Sequence, residues 1–195
     1  MTSVTRLGGW LFRQRTWLPL PLAAALVLIP PTESEPAAPF WIAGLALILA
    51  GESLRLWSVH HIGTISRTRS DRLGPLISSG PFALVRNPLY LGNMALWAGF
   101  AVTTHLLWVA PVVVVLLALE YHAIVRWEEE LLAARLGDTY RNYVRRVPRW
   151  LPLWTSPAMS APGATFSWRQ TLFSERGTLI AIAVGFAVLY IKLKT

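Results

Sequence analysis

Two clusters in this chain combine residue types that can hold a charged small molecule. The first is SGPFALVRNPLYLG, residues 79–92, where Arg86, Asn87 and Pro88 stand directly before an apolar run. Asn favours the N-cap of a helix and Pro its first position, so a helix is predicted to start at Pro88. A helix start presents free N–H groups and a positive dipole end, which suit a carboxylate or phosphate. Arg86 adds a planar donor able to grip such a group through two bonds. Tyr90 lies about one turn into the helix, and Gly92 allows close approach by a ligand or another backbone. The same residues also have a plain structural reading. Arg86 can snorkel to lipid phosphates, Tyr90 can be an interfacial aromatic, Gly92 a helix-packing contact, and Gly80-Pro81 an ordinary turn.

The second cluster is RWEEELLAARLGDTYRNYVRRVPRWLP, residues 126–152. Glu128, Glu129 and Glu130 follow an apolar segment. They oppose the helix dipole if the helix ends there, and carry no such penalty if it continues to Leu136. A solvated face paired with Arg126 and Arg135 is the plain alternative. Gly137 fits a helix stop. Tyr140 and Tyr143 are three apart and share a helical face, and Val147-Pro148-Arg149 ends the segment.

The elements that must position these clusters are membrane helices. The chain is 54% hydrophobic and 14% charged, against about 25% charged for a soluble domain. Ten tryptophans fit membrane interfaces. With no cysteine, disulfides, thiolate metal sites and a cysteine nucleophile are excluded. The formal charge of +8 could point to nucleic acid, but the arginines lie between apolar runs, where membrane orientation explains them better. The expected fold is all-α: one integral membrane domain over residues 1–195, with about five transmembrane segments. These are Trp17–Ile29, Phe40–Val59, Pro88–Thr103, Leu106–Val125 and Gly177–Ile191. The first and last are short for a span, and the first is expected to be a retained anchor in place of a cleaved signal peptide. Residues 30–36 form an acidic, proline-rich turn, and 155–170 a Ser-, Pro- and Ala-rich loop. The N-terminus, residues 60–86 and residues 126–176 hold 15 of the 18 Lys and Arg. The positive-inside rule places all three in the cytoplasm, so both clusters meet at one membrane face. The inner membrane of a prokaryote is the expected location, and no protein partner is evident.

Taken together, GPFALVRNPLYLG and EEELLAARLGDTYRNYVRRVPRWLP resemble the membrane methyltransferases that include isoprenylcysteine carboxyl methyltransferase and the phospholipid N-methyltransferases. LRLWSVHHIG, residues 54–63, is similar to the segment upstream, and the resemblance covers roughly residues 50–152. It implies an S-adenosylmethionine-dependent enzyme with its cofactor pocket at the cytoplasmic face. By position, Gly80, Arg86, Asn87, Tyr90 and Gly92 would border the cofactor, and Glu128 and Glu129 would be the acidic pair that contacts it. Tyr140, Tyr143, Arg146 and Pro148 would complete a cytoplasmic lid. There are departures: Asn87 stands where the family has histidine, Leu136 where it has Phe, and Gly74 where some members carry an upstream histidine. The Arg-rich stretch 63–74 would then serve a subfamily's own substrate.

The chemistry agrees with this. Arg86 and the helix start suit a carboxylate, Glu128 or Glu129 an ammonium or ribose, and the tyrosines a sulfonium or adenine. Arg146 or Arg55 could hold a carboxylate acceptor, and Glu128 could take the proton of an amine acceptor. The acceptor is expected to be lipid-like and to arrive from the bilayer. Glu52 and Arg55, three apart within a span, are functional suspects that are also spaced to pair with each other. Glu120 and His122 could face the pocket. His60 and His61 lack the partners for a metal site and read as interfacial. The alternatives are a nicotinamide-dependent membrane reductase and a small transporter or scaffold.

Overall fold

The computed structural model describes residues 2–30, 38–63, 76–154 and 165–192. The acidic turn, the Arg-rich stretch and the first part of the 155–170 loop fall almost wholly outside them. The described residues hold helices and no strand: α1 (Ser3–Gln14), α2 (Pro19–Leu28), α3 (Ala38–Ile62), α4 (Pro81–Leu84), α5 (Pro88–Thr103), α6 (Val109–Leu136), α7 (Asp138–Arg146) and α8 (Trp168–Lys192). Three of them, α3, α6 and α8, are long and apolar enough to cross a membrane. Ile42, Leu119 and Ile180 on these helices are more than 60% exposed, as a lipid-facing surface requires. The protein is thus a helical integral membrane bundle.

Predicted and observed segments differ most at the ends. The first apolar run becomes a helix of only 10 residues, α2. Pro19 and Pro21 have no N–H with which to continue the ladder of the preceding helix, so the chain breaks between α1 and α2. The last run is longer than predicted. Arg169, Glu175 and Arg176 disguise its first turns, yet the helix holds 25 residues. The fourth run does not stop at Val125. It continues to Leu136, so the three glutamates are mid-helix and escape the dipole penalty. At 28 residues α6 is about 42 Å long, more than a hydrocarbon core, and its final turns project beyond it. Gly137, at φ +53°, ends it as expected.

Two glycine pairs hold α3 against α5. A Cβ on Gly51 would sit 2.7 Å from the Gly92 carbonyl oxygen, and one on Gly92 2.8 Å from that of Gly51. Gly44 and Gly99 repeat the arrangement at 2.7 Å in both directions. The seven-residue spacing on each helix keeps both pairs on one antiparallel seam, where small residues let backbones touch. α1 runs antiparallel along α6 in a similar way. A Cβ on Gly8 would lie 2.0 Å from the Ala123 oxygen, and the Thr5 hydroxyl donates to Glu130 Oε1 at 2.7 Å.

α8 is held by charge. Arg55 lies 3.3 Å from Glu52, contacts Glu175, and donates to Asn93 Oδ1 and Thr178 Oγ1. The predicted pairing of Glu52 with Arg55 is present, and the arginine also ties α3 to α5 and α8. These seams gather the end of α3 and the starts of α1, α5 and α8 beside the end of α6. At the opposite end, Phe40 packs on His105 and Lys192 donates to the final carbonyls of α2.

The glycine seam sets a testable cost. Gly51→Leu is expected to lose about 1–3 kcal/mol by overpacking. Ile42→Ala, on the lipid-facing surface, should stay within ~0.5 kcal/mol. Thermal unfolding in detergent separates the two.

Candidate functional site

The first cluster folds as a short turn leading into α5. Gly80 takes φ +57°, a conformation that L side chains rarely adopt, and a Cβ there would meet the His61 ring at 2.3 Å. α4 buries Phe82, Ala83 and Leu84, and the chain then extends through Val85 before α5 begins at Pro88. The second cluster is laced to this turn by backbone and side-chain bonds. Arg86 N–H donates to the Pro148 carbonyl at 2.9 Å, and Leu153 N–H to that of Leu84 at 2.9 Å. The Tyr143 hydroxyl donates to the Phe82 carbonyl at 2.7 Å, within the core under α7. Asn87 occupies the N-cap position but makes no capping bond there. Its Nδ2 instead donates to the Arg149 carbonyl at 3.1 Å, so the amide fastens the two clusters together.

At the centre stands Glu129. Arg149 grips it through two bonds, Nε to Oε1 at 3.0 Å and Nη2 to Oε2 at 2.6 Å. Arg86 Nη1 lies 2.7 Å from the same Oε1, with its side chain only 10% exposed. That bond to Glu129 holds the Arg149 guanidinium above its ordinary value. The buried Arg86 Nε has no hydrogen-bond partner among the described residues. One helical position away, Glu128 accepts from the Tyr90 hydroxyl at 3.1 Å, and the Tyr90 ring lies 4.7 Å from that of Tyr121. Burial, reinforced by the Glu129 charge, pushes the Tyr140 phenol up to about 12. Burial, then its neighbour Tyr140, raises Tyr143 as well.

The structure therefore brings together Gly80, Arg86, Asn87, Tyr90, Glu128, Glu129, Tyr140 and Tyr143. It sets two expected residues apart. Gly92 faces α3, where Arg55 Cγ and the Gly51 carbonyl occupy the space of its missing side chain, so its role here is packing. Arg146 is exposed at the end of α7, because Tyr140 and Tyr143 claim the inward face of that helix. The guanidinium that points inward belongs to Arg149, three residues on. His122 is also exposed, on the outer side of α6. Sequence reasoning missed two further neighbours. His61 hydrogen-bonds Ser79 and walls Gly80, and its only sequence signal was its place at the end of a span. Arg15, over the Phe12 ring at 4.2 Å, acts electrostatically on Glu128 and Tyr90, and nothing in the sequence linked it to them.

The profile of the phospholipid methyltransferase family matches residues 40–139, from the start of α3 to the start of α7. The chain belongs to that family. The resemblance carried by the two clusters is thereby borne out. Among characterised relatives, the chain is 30% identical over 112 residues to the cobalt-zinc-cadmium resistance protein CzcN of Cupriavidus metallidurans, covering 57% of this chain and 51% of that one. It is 30% identical over 98 residues to the nickel-cobalt-cadmium resistance protein NccN of Alcaligenes xylosoxydans xylosoxydans, covering 50% and 43%. It is also 30% identical over 118 residues to the protein-S-isoprenylcysteine O-methyltransferase of Rattus norvegicus, covering 56% and 40%. The chain thus spans about half of these relatives' length or less. No solved structure matches it. The family match ends before Tyr140, so the strap carrying Arg149 and the helices α1, α2 and α8 lie beyond it.

The raised phenol makes stability pH-dependent. Tyr140 holds its proton more tightly folded than unfolded, so its contribution is constant below about pH 10 and declines between 10 and about 12. For one group the limiting slope is about 1.4 kcal/mol per pH unit. Chemical denaturation followed across that window should show a steeper decline for wild type than for Tyr140→Phe.

Proposed function

We propose that this protein transfers a methyl group from S-adenosylmethionine to a lipid-like acceptor at the cytoplasmic face of its membrane. The observation that carries this is Glu129 held between Arg86 and Arg149, one residue from a Glu128–Tyr90 pair. The arrangement places two carboxylates, two guanidinium groups and four tyrosines around the end of one membrane helix.

The donor set fits the cofactor. The buried Nε of Arg86 is an unused cationic donor suited to a carboxylate. Glu128 and Glu129 suit an ammonium or ribose hydroxyls. Tyr90, Tyr121 and Tyr140 offer aromatic faces to a sulfonium or adenine, and a desolvated cation–π contact contributes ~2 kcal/mol. When bound, S-adenosylmethionine supplies an electrophilic methyl group. The residues of this chain then orient the partners, and such positioning lowers a barrier by ~7–11 kcal/mol in favourable cases. On this reading Glu128, its carboxylate held by the Tyr90 hydroxyl, takes the proton of an amine acceptor. For a carboxylate acceptor no base is needed, and the inward guanidinium of Arg149 replaces the expected Arg146 as the anion-holding group. The cytoplasmic location rests on the arginine distribution, which puts the Glu129 end of the bundle inside.

Calorimetry tests the reading. Wild type is expected to bind S-adenosylmethionine. Arg86→Ala and Tyr90→Phe should weaken binding, the former by about tenfold, or 1.4 kcal/mol. Arg146→Ala should stay within about twofold. Binding of NADPH in place of S-adenosylmethionine, or affinity indifferent to Arg86, would sink the proposal. Methyl label incorporated from S-adenosylmethionine into extracted membrane lipid is the second expected outcome.

A further inference from the structure

Glu128 lacks what Glu129 has. Two guanidinium groups grip Glu129, whereas Glu128 accepts one bond, from the Tyr90 hydroxyl, and meets no arginine in direct contact among the described residues. We infer that Arg15 supplies the missing charge: it is a positioning residue whose guanidinium, presented by the break between α1 and α2, holds Glu128 as a carboxylate for the cofactor. The inference rests on the functional reading above and adds to the site a residue from outside the family match.

The path of the first two helices puts Arg15 there. α1 starts at the Glu129 end of the bundle, where Thr5 meets Glu130, and α2 finishes at the opposite end, where Lys192 donates to its last carbonyls. At 12 and 10 residues they are about 18 and 15 Å long, so in series they match a hydrocarbon core of ~30 Å. They form one interrupted crossing, and Arg15 stands at the interruption. Gly8 packs on Ala123, and Arg15 follows about 10 Å further along the helix direction, away from the Glu130 end.

The Arg15 side chain then doubles back. Its guanidinium carbon lies 4.2 Å over the Phe12 ring, one turn nearer the start of α1. The Phe12 ring is 4.9 Å from that of Trp127, the residue before Glu128 in α6. Phe12, Tyr121 and Trp127 belong to one buried cluster, and Tyr90 packs against it. The cation thus rests on the same aromatic floor that carries Tyr90 and its bond to Glu128. Its charge acts on Glu128, Tyr90 and Tyr121 alike.

A charge within a membrane bundle is costly and is found facing partners. An arginine near the interface ordinarily snorkels outward. Arg6 and Arg13 on α1 are exposed, whereas Arg15 is half-buried and turned inward. The charged and titratable groups around Glu128 are Tyr90 on α5, Tyr121, Glu129 and Glu130 on α6 itself, and Arg86, Arg149 and Arg15. Arg86 and Arg149 are engaged by Glu129, and Glu130 is turned to Thr5. Glu129 repels a second carboxylate beside it, so Arg15 is the cation whose charge offsets that of Glu128.

The test uses the full chain in phosphatidylcholine nanodiscs. Infrared titration, taken as the difference between wild type and Glu128→Gln, follows the Glu128 carboxyl alone. Arg15→Gln is expected to move that titration to higher pH, and Arg15→Lys, which restores the charge, to return it towards wild type. In calorimetry Arg15→Gln should weaken S-adenosylmethionine binding at neutral pH by at least about threefold, and should make no further difference in a Glu128→Gln background. Arg13→Gln, on the same helix but exposed, should leave both readouts unchanged. A Glu128 titration indifferent to Arg15 overturns the inference, as does a loss of affinity that Arg15→Lys does not repair or that persists in full beside Glu128→Gln. Where Glu128→Gln binds too weakly to compare, the infrared shift decides alone. If wild type does not bind S-adenosylmethionine while the titration still moves with Arg15, the functional reading fails and the Arg15–Glu128 pairing stands.

Discussion

A single carboxylate shared by two guanidinium groups is the interaction on which this architecture turns. Glu129 comes from the projecting end of α6, Arg86 from the approach to α5 and Arg149 from the strap after α7. Removing Glu129 would leave both guanidinium groups uncompensated, a loss of about 3–5 kcal/mol where the charges are buried, whereas removing either arginine would leave Glu129 one partner. The geometry is therefore cooperative. The strap stays against the end of α6 because Arg149 has its partner there, and Arg86 faces inward for the same reason. Backbone bonds from Arg86 to Pro148 and from Leu153 to Leu84 then fix the register.

The glycine seam between α3 and α5 serves that centre from a distance. It lets the two backbones touch, which sets where α5 begins and so where Arg86 and Tyr90 stand. The Arg55 junction does the same for α8. Charge inside a membrane bundle is costly, and here the cost is offset by partners drawn from three helices. Polar groups thus do both jobs in this protein: they tie helices together at depth and form a cradle at the surface.

Much of this was legible in the sequence. The hairpin of α5 and α6, the stop at Gly137 and the convergence of the two clusters follow from hydropathy, caps and arginine placement. Arg86 and Tyr90 stood out by their types and place at a helix start, whereas Glu128 and Glu129 were singled out by the family resemblance. Other features depend on contacts across long stretches of chain. Asn87 looked like a cap because local rules favour it, yet a carbonyl 62 residues away offered a better partner. Arg146 and Arg149 are indistinguishable by charge; the helical phase set by Tyr140 and Tyr143 turns Arg146 out, while Arg149, on the strap beyond the helix, reaches Glu129. Gly92 satisfied a motif and a packing rule at once, and packing against α3 decides its surroundings. α1 carried no motif at all, since its Gly8-Gly9 face has meaning only beside α6.

That α1–α6 seam bears on biogenesis. Thr5 meets Glu130, a partner 125 residues later, so a ribosome completes nearly two thirds of the chain before this contact can form. Until then the small-residue face of α1 lacks the α6 surface it packs on in the folded chain. High sequence separation of this kind slows assembly and lengthens the exposure of partly folded states. A nascent chain arrested before α6 would therefore lack both Glu129 and the surface against which α1 packs.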